Sequence, residues 1–120
     1  MAEPKNFTGG CHCGNVRFDV TADLSGGVMA CNCSICSKRG SLLTFVPADK
    51  FALRAGEDDL TDYQFGKKII HHLFCRQCGV ASFARGKGPD GKEMVAINVR
   101  CLDGVDIAAL TITPFDGRSL

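Results

Sequence analysis

The sequence predicts a mainly β fold, on two observations. Apolar and polar residues alternate with a period of two in several short runs, most clearly where Val16, Phe18 and Val20 alternate with Asn15, Arg17 and Asp19. Turn formers such as Pro47-Ala48-Asp49-Lys50 and Leu102-Asp103-Gly104 punctuate these runs at short intervals, leaving room for strands and no more than brief helical turns. At 120 residues, with 45% hydrophobic and 22% charged residues, the chain is expected to form one domain over residues 1–120. A domain of that size buries roughly two-thirds of the surface its unfolded chain exposes. The net charge of +1 gives a polyanion nothing to steer towards, so nucleic acid is not an expected partner. No run approaches the length of a membrane span, and the N-terminal Met1-Ala2-Glu3-Pro4-Lys5-Asn6-Phe7 lacks the apolar core of a secretory signal. The expectation is a soluble cytoplasmic protein with reduced thiols, bound to no membrane.

Taken in order, the first strand falls in the segment from Phe7 to Val20, where Cys11 and Cys13, two apart on an extended backbone, point the same way. Leu24-Ser25-Gly26-Gly27 is a turn, and Val28-Met29-Ala30-Cys31 a short buried strand delivering a thiol. Ser34 is a turn former or N-cap, and Cys33-x-x-Cys36 suits a tight turn entering a helical turn whose free N–H groups favour thiolate. Leu42, Leu43, Phe45 and Val46 form a strand ended by Pro47, and Phe51 opens another that leads to an acidic loop after Gly56. Tyr63 and Phe65 alternate with Asp62 and Gln64, and Gly66-Lys67-Lys68 turns the chain into a strand over residues 69–74. It runs directly into Cys75-Arg76-Gln77-Cys78-Gly79, a zinc-knuckle pattern whose glycine accepts a left-handed conformation. Strands are expected over residues 80–84 and 94–99, a strand or short helix over 105–114, and a loosely held tail over 116–120.

Eight cysteines is a high count, and in a secreted chain it would suggest disulfides. Their close spacing suits convergence on metal ions better. Cys11, Cys13, Cys75 and Cys78 together supply the four thiolates of a closed structural zinc site, although Cys11 and Cys13 could instead join Cys31 and Cys33. On the first pairing, Cys31, Cys33 and Cys36 remain as three ligands of a second zinc. Either Cys101, His12, His71 or His72 completes a second structural site, or the fourth position stays open as in catalytic zinc. Three thiolates leave Zn²⁺ with a local charge of about −1, weakening it as a generator of hydroxide, but sulfur remains a good fourth ligand. The expected visitor is therefore a thiol. Adding it brings the charge to about −2, so cations should stand nearby. Lys38 and Arg39 follow in sequence and are candidates to bind substrate, or else are solvated surface residues. His71 and His72, adjacent on a strand, face opposite sides, and one of them could serve as acid or base. Beyond the metal ligands no side chain is assigned a catalytic role, and the sequence does not name the proton donor.

Four stretches carry a family resemblance: Gly10-Cys11-His12-Cys13-Gly14 with Val16-Arg17-Phe18; Cys31-Asn32-Cys33-Ser34-Ile35-Cys36 with Arg39-Gly40; Phe74-Cys75-Arg76-Gln77-Cys78-Gly79; and Asn98-Val99-Arg100-Cys101-Leu102-Asp103. In order and spacing they resemble the glutathione-dependent formaldehyde-activating family, whose domain is shared with centromere protein V. The resemblance spans nearly the whole chain. It implies the Mss4-like fold of coiled antiparallel sheets around zinc, with Cys11, Cys13, Cys75 and Cys78 on the structural ion and Cys31, Cys33 and Cys36 on the catalytic one. The implied activity is that of a carbon–sulfur lyase that reversibly joins glutathione to formaldehyde as S-hydroxymethylglutathione. One departure is Val80-Ala81-Ser82-Phe83, where the family pattern has a histidine before Phe. Two other classes compete. A non-enzymatic zinc module binding a protein partner requires both metals closed and an exposed apolar patch. A redox sensor requires a disulfide within the Cys31 to Cys36 cluster under mild oxidation.

Overall fold

The computed structural model describes residues 4–25 and 28–119. The turn expected at Leu24-Ser25-Gly26-Gly27 lies partly outside the described residues, as do the first three residues and Leu120. Alternation becomes strand wherever one face has a core to cover. β1 (Lys5–Gly10), β2 (Arg17–Ala22) and β5 (Phe51–Ala55) form an antiparallel sheet in the order β1-β2-β5. Along β2, Phe18, Val20 and Ala22 are buried and the residues between them only partly so, the period of two read from the sequence.

A second sheet contains β3 (Val28–Cys31), β4 (Leu42–Pro47), β6 (Leu60–Tyr63), β7 (His71–Cys75), β8 (Phe83–Lys87), β9 (Glu93–Asn98) and β10 (Ile112–Phe115), in the order β10-β3-β4-β9-β8-β7-β6. Its neighbours are antiparallel except β10 and β3, which run parallel. One helical turn, α1 (Cys36–Arg39), joins β3 to β4. The mainly β expectation is met, with sheets that carry the cysteine motifs at their strand ends and loops.

The core is a single cluster drawn from both sheets, in which Phe18, Val16, Val95, Ile97 and Val99 are almost wholly buried. Phe18, Phe51 and Phe83 form its aromatic centre, with ring centroids 4.7 to 5.8 Å apart in tilted and edge-on arrangements. Beyond the buried Leu102, the turn at Asp103-Gly104 is tied to the first sheet. Asp103 donates its backbone N–H to Thr8 O at 2.8 Å, and its carboxylate accepts from Thr8 Oγ1 at 2.7 Å and from Arg17 Nη2.

Arg17 and then Thr8 hold the Asp103 carboxyl below the usual carboxylate range. A carboxyl depressed in the folded state contributes stability above its unfolded pKa and loses that contribution as pH falls through the folded value. Both partners are substantially exposed, so Asp103→Asn should cost less than about 1 kcal/mol at neutral pH. In urea titrations, the difference from the parent should shrink as pH falls below the ordinary aspartate pKa of about 3.9 and be lost once pH passes below the folded value.

Three local expectations are corrected. Cys11 and Cys13 sit not on an extended strand but in the loop between β1 and β2, because the Cys11 N–H turns back to Val16 O at 3.1 Å and ends the ladder. The strand expected over 80–84 is displaced to Phe83–Lys87, since the knuckle holds Val80 by a bond from Cys75 N at 3.1 Å. The tail, expected to be loose, is fastened: Ser119 Oγ donates to Asp116 at 2.6 Å and Asn32 Nδ2 to Asp116 at 2.9 Å.

Candidate metal centres

The first cluster is assembled by two turns that meet across the sheets. Cys11, buried at the end of β1, accepts the Val16 N–H at 3.3 Å on its sulfur, and Cys13 lies exposed in the same loop. Cys75, wholly buried, ends β7 and accepts the Gln77 N–H at 3.4 Å. The chain then reverses through Gly79, whose φ of 80° is the left-handed conformation expected of the knuckle glycine and whose N–H reaches Cys75 O at 2.7 Å. The four sulfurs of Cys11, Cys13, Cys75 and Cys78 lie within 4.8 Å of one another. Cys13 Sγ stands 3.6 Å from both Cys11 Sγ and Cys75 Sγ. Sulfurs at about 2.3 Å from one tetrahedral zinc stand about 3.8 Å apart, so the donor set fits that ion. All eight cysteines are free thiols.

Four thiolates packed together repel. Backbone N–H groups from Val80 and Cys13 draw Cys78 down to about 6. For Cys13, the N–H of Asn15 pulls downward, but burial and the neighbouring sulfurs prevail and push it up to about 12. Like charges this close make it costly to ionise all four thiols together, and a divalent cation held between them would offset that cost. Cys101 belongs to these surroundings, since burial first, and then the charges of Cys11 and Cys78, raise it to about 11.

The second cluster is built by the end of β3 and the entry to α1. Cys31 closes the strand, Cys33 accepts the Ser37 N–H on its carbonyl at 2.9 Å, and Cys36 opens the helical turn. Ile35 rather than Ser34 occupies the cap position, and Ser34 is a turn residue. The sulfurs of Cys31, Cys33 and Cys36 lie within 4.8 Å of one another, and no fourth Cys, His, Asp or Glu donor joins them among the described residues. Burial opposes ionisation of Cys33, but the N–H groups of Cys36 and Ile35 and the adjoining thiols outweigh it and lower its pKa. Cys36 takes the opposite course, pushed up to about 12 by burial and then by Cys33 and Cys31.

These three cysteines border a cavity of about 180 Å³ whose walls are mostly apolar. Of the residues expected to act beside them, Arg39 and His72 line it. Lys38 faces an adjoining groove with Tyr63 and Phe65. The two histidines do face opposite ways. His71 is exposed and its Nδ1 pairs with Asp62 at 2.6 Å, whereas His72 stacks on Phe65 with centroids 5.1 Å apart. Burial and then the Arg39 charge lower the His72 pKa below 6.5, against the pull of Asp62. Leu43, Phe45, Ile70 and Asn98 also line the cavity and were not anticipated. The signal for Phe45 was the run Leu42-Leu43-Thr44-Phe45-Val46, apolar on both faces of one strand.

Mainly β sheets carrying one four-cysteine and one three-cysteine cluster, the latter beside a cavity, define a class of protein able to hold metal through thiolates. Residues 6–114 match the model of the family described as glutathione-dependent formaldehyde-activating enzyme, and the chain belongs to that family. It is also similar to a protein of Rhodobacter sphaeroides known from a crystal structure. The two are 33% identical and superpose with a TM-score of 0.77, covering 89% of this chain and 97% of that one. No helix among the described residues is long and apolar enough to cross a membrane.

Proposed function

We propose that the protein is a zinc-dependent carbon–sulfur lyase that reversibly joins glutathione to formaldehyde as S-hydroxymethylglutathione. The observation that carries this reading is the set of three sulfur donors, with no fourth side chain among the described residues, beside a cavity bordered by Arg39 and His72. In this reading residues 1–120 act as one domain in a reducing compartment such as the cytoplasm. Cys11, Cys13, Cys75 and Cys78 hold a structural zinc, and Cys31, Cys33 and Cys36 hold the catalytic one. Bound there, zinc supplies a soft Lewis-acid position that lowers the pKa of a thiol.

The chain's own side chains do the rest. Arg39, with Lys38 in the adjoining groove, offers positive charge to the carboxylates of glutathione and offsets the negative charge of the sulfurs. His72, kept neutral near pH 7 by burial and by Arg39, is able to accept the thiol proton and return it. The sulfur–carbon bond forms at the carbonyl carbon, the π pair moves to the carbonyl oxygen, and His72 delivers the proton there. The apolar walls exclude competing water. His72→Gln should therefore slow adduct formation by about 10²–10⁴-fold while both metal ions are retained.

The test is exchange between formaldehyde, glutathione and their adduct, followed by NMR with ¹³C-labelled formaldehyde, alongside metal analysis. Accelerated exchange and two zinc ions per chain, one readily lost to a chelator and protected by glutathione, are the expected results. Unchanged exchange rates with two equally inert ions would instead support a non-enzymatic zinc module.

A further inference from the structure

The C-terminal segment meets the three-cysteine cluster through contacts that neither its composition nor its periodicity announces. β10 runs parallel to β3 with Phe115 in register with Cys31, and Asn32 N donates to Phe115 O at 3.1 Å. The Asn32 side chain then grips both sides of residue 117. Its amide nitrogen donates to Asp116 Oδ1 at 2.9 Å, and its oxygen accepts the Arg118 N–H at 2.9 Å. Gly117 is thereby pressed against the cluster. A Cβ built on it would overlap the Cys31 sulfur and stand 3.3 Å from Cys33 Cβ. Gly117 is not among the glycines with positive φ, so its backbone conformation is open to any residue. Glycine is needed there for space alone. Gly117 does not line the cavity, so the tail covers the cluster from a different side.

We propose that residues 115–118 form a clasp over the three-cysteine cluster, held by Asn32. The clasp fixes the Cys31 sulfur relative to Cys33 and Cys36 and confines solvent and ligand exchange to the cavity. Gly117 and Asn32 are positioning residues, touching no substrate. The inference rests on the reading of Cys31, Cys33 and Cys36 as metal ligands, and its test separates the two.

The full chain is loaded with Zn²⁺, and its ions are titrated against a chromophoric chelator. Co²⁺ replaces zinc in a second set, where sulfur-to-metal charge-transfer absorption reports ligand geometry. In the parent, one ion is expected to be labile. Gly117→Ala and Asn32→Ala should each weaken the labile ion by about 10–100-fold, as loss of outer ligand support does, and alter the Co²⁺ spectrum. The inert ion should keep its affinity. If Gly117→Ala fails to fold, Asn32→Ala, which adds no bulk, decides the matter. A parent with two ions and an Asn32→Ala variant of unchanged affinity and spectrum overturns the clasp but leaves the metal assignment standing. A lowered unfolding temperature with unchanged affinity does the same, by reducing the contact to a structural one. A parent that binds a single ion removes the metal assignment and the clasp with it.

Discussion

Cys75→Ser is expected to leave the chain without a cooperative thermal transition, and the parent treated with a strong chelator should behave alike. Cys75 is wholly buried at the end of β7, and its sulfur stands among those of Cys11, Cys13 and Cys78. Cys13 and Cys75 are 62 residues apart in sequence, so an ion held between them closes a long loop that joins the hairpin of the first sheet to the second. Structural zinc contributes about 10–16 kcal/mol of binding free energy to folding, whereas a whole domain is stable by only about 5–15 kcal/mol. A serine hydroxyl does not replace a thiolate on zinc, so one substitution removes most of that margin and leaves three sulfurs with unbalanced charge. Circular dichroism through a thermal ramp, with and without added zinc, measures the effect. A variant that melts cooperatively near the parent temperature would show that the core around Phe18, Phe51 and Phe83 stands without the metal.

Much of this arrangement was legible in the residues, because short-range signals governed it. β3 and β4 begin where the apolar runs begin, and the 48–50 turn follows Pro47 as its composition requires. The knuckle at Cys75 to Gly79 takes the backbone its spacing implied. Elsewhere a longer-range contact decided the outcome. Cys11 lies off the strand because its N–H and its sulfur both bond back to Val16, five residues ahead, and period-two alternation carries no record of such a loop. Val80 to Ser82 resemble a strand in composition, but Ser82 O is held by Asn98 N at 3.0 Å and Ala81 O by the Asn98 side chain at 3.1 Å, so the segment serves β9 before β8 begins. The tail could not be placed from sequence at all. Its anchor, Asn32, is 84 residues away from Asp116, and it lies between two cysteines that draw all the attention. The choice between His71 and His72 was likewise undecidable until the strand pairing turned one towards Asp62 and the other towards the cavity.

Cys33→Ser should produce the reverse of Cys75→Ser, loss of one ion and of thiol-dependent adduct formation from a chain that still folds. The core explains the difference. None of Cys31, Cys33 and Cys36 is among the buried core residues, and α1 buries no side chain. Removing one sulfur leaves two donors for an ion that, on the proposed assignment, would take three from this chain, and labile zinc should be lost at ordinary chelator concentrations. The turn itself should survive, because its backbone bonds from Ser37 N to Cys33 O and from Gly40 N to Cys36 O, both 2.9 Å, do not involve the substituted atom. Metal content by mass spectrometry of the native chain, thermal unfolding and ¹³C exchange on one preparation distinguish the outcomes. Retained activity with one ion would remove the second cluster from the chemistry. Equal loss of metal from Cys33→Ser and Cys75→Ser, with both folded, would show that the two clusters share one task. The expected result, a folded chain with one inert ion and no exchange activity, requires that the four-sulfur site hold the sheets together while the three-sulfur site serves the thiol.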